Sequence, residues 1–434
     1  MKTIEIRNVG PLVETGKIVV SQIMLLVGKQ STGKSTFMKI LCFCSWIEKQ
    51  IMIDEKNALY KYTHYYRFWN EMKKFHHFNE DFLNENSYVR YEGESVQIEM
   101  KGRQHNVKIT VADDFQEKKH NIKLCFLPSE RNLLAAIQNV ESLYRSREVD
   151  MLFNYILEWG EARSNFDASN PLDLVFVDDM RYHYDSKSGD VLTLSGGHSR
   201  IKPYYASSGV QSALPIQVLA TYMASTVGTS ARISPMEYLT HMLGNEWKID
   251  EKSLSLIVQE LRKSGGAGAS QKSLESFPLL ERAFNDMKDR LQYKSFHMFI
   301  EELEQNLFPD AQFDLIKMLI GLVVKAGQKL PDYSSSIFLT THSPYVLTAL
   351  NVMMLVSEAF QKDSKTVASM GFEPYVLPLS SYSAYCIENG RFENIVDEEH
   401  HFIKGDYLDS ISDRIDGYTY ELNNVIYGDI DRQA

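Results

Sequence analysis

Two rhythms of apolar and polar positions divide this chain. The opening IEIRNVGPLVETGKIVV alternates apolar with polar residues, which predicts two antiparallel strands joined by a short turn at Val9 to Pro11. Three unbroken apolar runs, in QIMLLVG, SFHMFIEE and IFLTTH, predict buried strands of an open α/β sheet. Each of these runs ends on a residue with chemistry: Gly28, Glu301 or His342. STFMKILCFCSWI, directly after the first run, reads as a helix.

Between residues 50 and 120 the pattern changes again. ALYKYTHYYRFWNEMKKFHHF predicts helix, and YVRYEGESVQIEMKGRQHNVKITV predicts three strands with turns at Gly93 and near Gly102. KLCFLPSERNLL, Lys123 to Leu134, is a strand ending in a polar loop. Around LTLSGG the β-like runs VLTL and HSRIKPYY predict a hairpin with Ser-Gly-Gly at its turn. PYYASSGVQSALPIQVLATYM instead predicts a long amphipathic helix opened by Ser207, Ser208 and Gly209. An inserted subdomain is expected from about 230 to 290, including KSGGAGASQKS, Lys263 to Ser273, a Gly/Ser loop of mobile character. SAYCIENGRFENIV predicts a hairpin turning at Asn389 and Gly390, followed by an acidic helical tail.

The composition permits these elements to build a large core. The chain has 434 residues, of which 44% are hydrophobic, and a formal charge of -11 with a pI near 5.6. That balance argues against a surface wrapped in nucleic acid and leaves room for a local basic patch. Cys42, Cys44, Cys125 and Cys386 have no CxxC spacing and read as reduced thiols. With no apolar signal segment and no apolar run of about 18 residues, the expectation is a cytoplasmic protein without a membrane span.

The chemistry begins at GKQSTGKST, Gly28 to Thr36, which meets the pattern GxxxxGK[ST] between a strand and a helix. Its glycines let backbone N–H groups curl around phosphates, Lys34 reaches the β/γ oxygens and the Ser35 hydroxyl ligates Mg²⁺. At the end of the second apolar run, Glu301 suits Mg²⁺ through water and Glu302 suits a general base for the attacking water. His342, where the third run meets a helix, can donate a hydrogen bond to a γ-phosphate. Ser207 to Gly209 at a helix N-terminus read as an anion site or as a plain N-cap. His76 and His77 beside Lys73 and Lys74 read as a solvated helix face, and Asp397 to His401 (DEEHH) as a weak metal candidate.

These motifs together resemble the ABC-type AAA ATPases related to RecF, SMC proteins and OLD nucleases. Within that group they are most similar to the compact ATPase subunits of bacterial anti-phage systems such as Septu, retrons and PARIS. The resemblance implies an α/β fold: an ABC ATPase head with a mixed β core, an antiparallel β subdomain and a helical lobe. It also implies four regions: residues 1–130 with Walker A, 131–294 with the signature, 295–395 with Walker B, and an acidic helical tail at 396–434. Carried over, it makes Gly28, Lys29, Gln30, Ser31, Thr32, Gly33, Lys34, Ser35 and Thr36 the Walker A loop. Ser207, Ser208, Gly209 and Gln211 become the signature, Glu301 and Glu302 Walker B, His342 the switch histidine and Asn306 to Pro309 the D-loop. No glutamine stands at the Q-loop position, so Ser129, Glu130 and Arg131 all stay open for that role. The implied cofactors are ATP and Mg²⁺.

The implied assembly is a homodimer packed head to tail around ATP, extendable to a higher oligomer, that gates a separate effector such as a nuclease. A RecF-like ATPase engaging DNA or RNA directly is the alternative, and it would need cations such as Lys101, Arg103, Lys108, Lys118, Lys119 and Lys123. A transporter ATPase fits the opening hairpin poorly, and a scaffold that only holds ATP differs from these by its lack of turnover.

Overall fold

The computed structural model describes residues 2–64, 66–102, 106–137, 151–194, 199–229, 292–397, 399–405 and 417–422. The inserted segment expected at about 230 to 290, with its Gly/Ser loop, lies outside them.

Strand β1 (Lys2–Val9) turns at Gly10 and pairs antiparallel with β2 (Leu12–Glu14) and β3 (Ile18–Val20). Gly10 has φ +53, a left-handed conformation that a turn this tight requires and glycine adopts without penalty. β4 (Ile23–Val27) leads into α1 (Lys34–Ile53), which is followed by α2 (Glu55–Thr63) and α3 (Arg67–His76). The meander β5 (Leu83–Glu92), β6 (Val96–Lys101) and β7 (Asn106–Val111) comes next, then β8 (Asn121–Leu127), α4 (Leu133–Ala136) and α5 (Met151–Arg163). Strands β9 (Leu172–Asp173), β10 (Met180–Asp185), β11 (Gly189–Leu194) and β12 (Arg200–Ile201) form a small antiparallel sheet of their own. The chain continues through α6 (Ser208–Thr226), β13 (Tyr293–Ile300), α7 (Pro309–Lys329), β14 (Ser336–Thr341), α8 (Pro344–Lys362) and α9 (Ser364–Ser369). It closes with the hairpin β15 (Tyr382–Glu388) and β16 (Arg391–Asn394) and the ribbon β17 (Val396–Asp397) with β18 (Phe402–Ile403).

Among the described residues the main sheet has twelve strands, ordered β7-β6-β5-β1-β2-β16-β15-β4-β14-β13-β8 with β3 beside β1. From β15 to β8 every neighbouring pair is parallel. The C-terminal ends of five strands therefore meet at one edge, where open α/β sheets place their ligands. Alternate residues of β4 serve the two faces: Ile23, Leu25 and Val27 join the core under α5 to α8, while Met24 and Leu26 join the core under α1 to α3.

Several expectations change at this level. The antiparallel meander, expected within the N-terminal lobe, continues the core sheet, because β5 pairs with β1 from Thr3↔Glu92 to Val9↔Leu83. α6 is not amphipathic: Val210 and Ser212 through Ala220 are all buried, because the helix lies between the sheet, α5 and α7. Where a helical tail was expected to begin, Val396–Asp397 and Phe402–Ile403 pair as a two-stranded ribbon, while 417–422 is helical, and Asn351 fastens the ribbon by accepting from the Ile403 N–H at 2.7 Å. The Ser-Gly-Gly of LTLSGG lies outside the described residues, but β11 and β12 on either side of it pair antiparallel, Leu192↔Ile201 and Thr193↔Arg200. That pairing agrees with a hairpin connection.

His76 is a core residue and not part of a solvated face. It is buried among Phe43, Phe75, Phe78 and Phe126, while its neighbour His77 is exposed at the helix end. Burial holds its imidazole well below the ordinary pKa, so it is neutral near pH 7. All four cysteines are buried, and none forms a disulfide among the described residues. Among the described residues, no helix is long and apolar enough to cross a membrane.

Candidate functional site

The loop from Gly28 to Gly33 links β4 to α1 at the sheet edge, as its sequence pattern requires. Two hairpins cradle it. A Cβ on Gly28 would stand 2.6 Å from the Ile387 carbonyl oxygen on β15, and one on Gly33 would stand 2.5 Å from Leu12 Cδ2 in the opening hairpin. Both glycines also have positive φ, +153 and +111, so neither position accepts a side chain without rearrangement. No acidic residue occupies the first turn of α1, which leaves its N–H groups and positive dipole end open to an anion.

Lys34 is buried against this loop. Its Nζ donates to the carbonyls of Gly28 at 2.7 Å and Lys29 at 2.8 Å, and the Thr32 hydroxyl donates to the Lys29 carbonyl at 2.9 Å. Burial lowers the Lys34 pKa to about 8, although the charges of Glu302, Glu304 and Glu301 pull upward.

Glu301 follows β13 and is only 5% exposed. Its carboxylate accepts from the Ser129 N–H at 3.4 Å and lies beside the Ser35 hydroxyl, yet its Oε1 is buried with no hydrogen-bond partner. Burial raises its pKa, opposed by Lys39, the Ser35 hydroxyl and the Ser129 N–H. A buried carboxylate oxygen left unmatched beside a serine hydroxyl is a donor set that suits a hard, oxygen-loving cation such as Mg²⁺. Among the described residues no group of three His, Cys, Asp or Glu could hold a metal; Glu398 of the Asp397 to His401 run lies outside them. The Glu301 and Ser35 pair therefore fits a cation that takes its remaining oxygens from a bound phosphate and water.

Glu302 has a left-handed backbone, φ +47, and its N–H donates to the Thr340 hydroxyl at 3.0 Å. Its Oε1 stands 3.8 Å from Nε2 of His342, the residue after β14. A non-glycine residue held in this sparsely populated region is the kind of strain that clusters at functional sites. Burial and the nearby Lys34 lower the His342 pKa, partly offset by Glu304 and Glu302.

Glu304 belongs to the same constellation and was not identified from the sequence. One of its oxygens accepts from the His342 N–H at 2.6 Å and the other from the Thr341 hydroxyl at 2.8 Å, so it fixes the strand end that carries His342. The available signal was a third acid in EELE, two positions after Glu302.

Where the motif resemblance led one to expect a Q-loop, the chain has a buried arginine. Arg131 donates through Nε to the Ser212 carbonyl at 3.0 Å, and through its terminal nitrogens to the carbonyls of Glu301 at 2.6 Å, Glu302 at 2.7 Å and Leu303 at 3.4 Å. The Tyr155 hydroxyl donates to the carbonyl of Arg131 itself at 3.0 Å. Of the three open candidates, Ser129 meets Glu301 through its backbone and Arg131 binds carbonyls that join α6 to the acidic loop. A second tie runs alongside, with Asn306 Nδ2 donating to the Ser212 hydroxyl at 3.1 Å.

Ser207 caps α6 through its hydroxyl, which accepts from the Val210 N–H at 3.4 Å. The Gln211 amide is taken up by the carbonyls of Pro203 at 3.2 Å and Tyr204 at 3.0 Å. Ser207 and Ser208 are exposed, and a Cβ on Gly209 would meet the Asn306 carbonyl oxygen at 2.8 Å. No hydrogen bond among the described residues joins Ser207, Ser208, Gly209 or Gln211 to the loop from Gly28 to Thr36. The chain thus brings Lys34, Ser35, Glu301, Glu302 and His342 together, and leaves the α6 N-terminus at the surface beyond Asn306.

The cations considered for a nucleic-acid groove are largely engaged. Lys123 is buried, 2.6 Å from Glu158 and 3.2 Å from Glu161. Lys101 pairs with Glu99, Lys118 with Asp114 and Lys119 with Glu55. Lys108 is exposed on β7, and Arg103 lies outside the described residues.

No family model matches the chain, and no curated protein matches it. Solved structures with a similar course include an SMC head domain from Thermotoga maritima, at 10% identity and a TM-score of 0.36 over 91% of this chain and 97% of that one. An Smc head domain with an extended coiled coil, bound to the C-terminal domain of ScpA derived from Pyrococcus furiosus, gives 8% identity and a TM-score of 0.38 over 91% and 96%. The recombination mediator RecF in its ATPrS form gives 10% identity and a TM-score of 0.31 over 91% and 97%. Likenesses this distant transfer no residue roles.

Proposed function

We propose that this protein is an ABC-type ATPase that binds and hydrolyses ATP, dimerises head to tail around it, and acts as sensor and gate for a separate effector in an anti-phage defence or DNA-repair-like complex. The observation that carries the catalytic part is the convergence of Lys34, Ser35, Glu301, Glu302 and His342 at the edge of the parallel strands, with Glu301 Oε1 left unmatched beside Ser35.

In this reading the N–H groups of Gly28 to Thr36 hold the phosphates and Lys34 exchanges the Gly28 and Lys29 carbonyls for the β/γ oxygens. Ser35 and Glu301 would hold Mg²⁺, which would supply positive charge against the phosphates. Glu302 accepts a proton from the attacking water, and neutral His342 donates one hydrogen bond to the γ-phosphate. Glu304 and Thr340 keep His342 and Glu302 at these stations. The exposed Ser207 and Ser208, with Gly209, meet the γ-phosphate of a second copy, which is the reason for a dimer. The effector role rests on the motif resemblance, and the nuclease or other effector is a separate chain.

The direct test is turnover. Wild-type protein is expected to release phosphate from ATP in a Mg²⁺-dependent manner, and Lys34→Ala to lose nucleotide binding by at least about a hundredfold, since the buried ammonium is the main positive charge in the cradle. Fluorescent-nucleotide titration reads the second effect; tight binding by the alanine variant would remove Lys34 from the site.

Affinity should also depend on pH in a defined direction. Free Lys34 titrates at about 8, and phosphates in the site raise that value, so binding favours the protonated form. The dissociation constant for a non-hydrolysable ATP analogue is expected to be flat below about pH 8 and to rise above it, by at most about tenfold per pH unit. An affinity that improves from about pH 8 to pH 9.5 contradicts this assignment.

A further inference from the structure

The N-terminal turn of α6 stands at the surface, yet its inner side is fastened to the loop that carries the acids. Arg131 makes the main tie: its Nε donates to the Ser212 carbonyl on α6, and its terminal nitrogens donate to the carbonyls of Glu301 and Glu302. Asn306 makes a second, its Nδ2 donating to the Ser212 hydroxyl at 3.1 Å. The Asn306 carbonyl oxygen would meet a Cβ on Gly209 at 2.8 Å, so helix and loop also pack directly on each other there. Arg131 and Ser212 are both 0% exposed, so water cannot stand in for either partner. A turn held by packing on one side and buried hydrogen bonds on the other moves with the loop rather than past it.

The same loop is tied on its far side to the strand end that bears His342. Glu304 accepts from the Thr341 hydroxyl and the His342 N–H. Further on, Gln312 donates through its amide nitrogen to the Leu307 carbonyl at 3.0 Å and accepts through its amide oxygen from the Ser343 hydroxyl at 2.6 Å. Between these ties Glu302 and Asn306 hold left-handed φ values of +47 and +60. Asparagine tolerates that region better than glutamate, so the strain falls mainly on the residue that faces His342. By contrast, among the described residues no hydrogen bond joins Ser207, Ser208, Gly209 or Gln211 to the loop from Gly28 to Thr36. A push on the α6 N-terminus is therefore passed by hydrogen bonds to Glu302 and not to the phosphate loop.

We propose, resting on the head-to-tail ATPase dimer of the preceding section, that the first turn of α6 and the loop from Glu301 to Phe308 act as one unit that couples the two ATP sites. When Ser208 of one copy meets the γ-phosphate of its partner's ATP, the displacement passes through Ser212, Arg131 and Asn306 to Glu302 of the same copy. That carboxylate is thereby placed for the copy's own ATP, so each site hydrolyses only when the other is filled. Arg131 and Asn306 are positioning residues in this scheme, because they act through Glu302.

The test uses mixed dimers of the full chain, co-expressed with two affinity tags and purified through both in ATP and Mg²⁺. One copy carries Glu302→Gln, so only the second copy has an active base, and a wild-type second copy sets the reference turnover. Ser208→Ala in the second copy leaves that copy's own ATP capped by the intact α6 of its partner. A serine that only touches phosphate would therefore leave the reference turnover unchanged, whereas coupling predicts a loss of at least about fivefold. Asn306→Gly in the second copy keeps the left-handed backbone but removes the tie to Ser212, and should lose at least about fivefold as well. Asn306→Asp keeps the tie with the Ser212 hydroxyl donating, and should retain at least about half of the reference turnover. Adding Ser208→Ala to Asn306→Gly should cost no more than about twofold further, because the route is already cut. The proposal is overturned if Ser208→Ala or Asn306→Gly in the active copy leaves the reference turnover unchanged, or if their effects multiply. Wild-type protein that neither hydrolyses ATP nor dimerises with it overturns the proposed function and the coupling together. Wild-type turnover and dimers alongside unchanged mixed-dimer values overturn the coupling alone.

Discussion

Glu302→Gln is expected to lower ATP turnover by about 10²- to 10⁴-fold, the range for removing a general base, while ATP binding is retained or strengthened. The backbone of Glu302 is held by its bond to Thr340, and its side chain faces His342 across 3.8 Å, so the amide can occupy the same place without disturbing the fold. What changes is the proton acceptor and one negative charge close to the phosphates. With that charge gone the ATP-bound state gains, and on the proposed reading, in which ATP joins two copies, the variant should accumulate as a dimer when ATP is added. Light scattering after size-exclusion chromatography, with and without ATP, reads the dimer, and phosphate release reads the turnover. Wild-type turnover in the glutamine variant would show that Glu302 is not the base.

Arg131→Met should be the most destabilising single change in the site. It withdraws donors from the carbonyls of Ser212, Glu301, Glu302 and Leu303 in a place with no water to replace them, since Arg131 is 0% exposed. Each orphaned buried carbonyl costs about 1–3 kcal/mol, and shared relaxation makes the total smaller than the sum, about 3–5 kcal/mol. Urea denaturation measures it; a midpoint within experimental error of wild type would mean these hydrogen bonds contribute nothing net. Arg131→Lys separates stability from positioning, because an ammonium keeps the charge but cannot span carbonyls on both α6 and the acidic loop. Its stability should lie between the two, with turnover reduced more than ATP affinity, because α6 and Glu302 lose their common anchor while the Lys34 cradle is untouched.

The elements of this protein that are local in sequence were legible without a structure. The strand, loop and helix around Gly28 to Thr36 follow from one apolar run and the glycine spacing, and the hairpin at Asn389 and Gly390 from its turn residues, whose φ values are +48 and +73. The turns of the meander at Gly93 and near Gly102 were equally readable, because alternation and turn chemistry are properties of neighbouring residues.

What escaped the sequence depends on residues far apart in it. Arg131 is about 170 positions from the carbonyls it binds in the acidic loop, and Lys123 about 35 from the Glu158 that neutralises it, so no window of periodicity contains either pair. His76 looked like one more polar residue beside Lys73 and Lys74 until the α1 and β8 aromatics closed over it.

By itself, then, the sequence nominated residues to hold a phosphate, a cation and a proton, since side-chain chemistry and backbone freedom are written residue by residue. Only the tertiary structure decided that β5 extends the core sheet, that Glu304 and Arg131 anchor the acidic loop, and that the α6 serines stay at the surface away from their own chain's Lys34. Those outcomes come from burial and long-range hydrogen bonds, which fix the geometry of a group only when distant segments have packed around it.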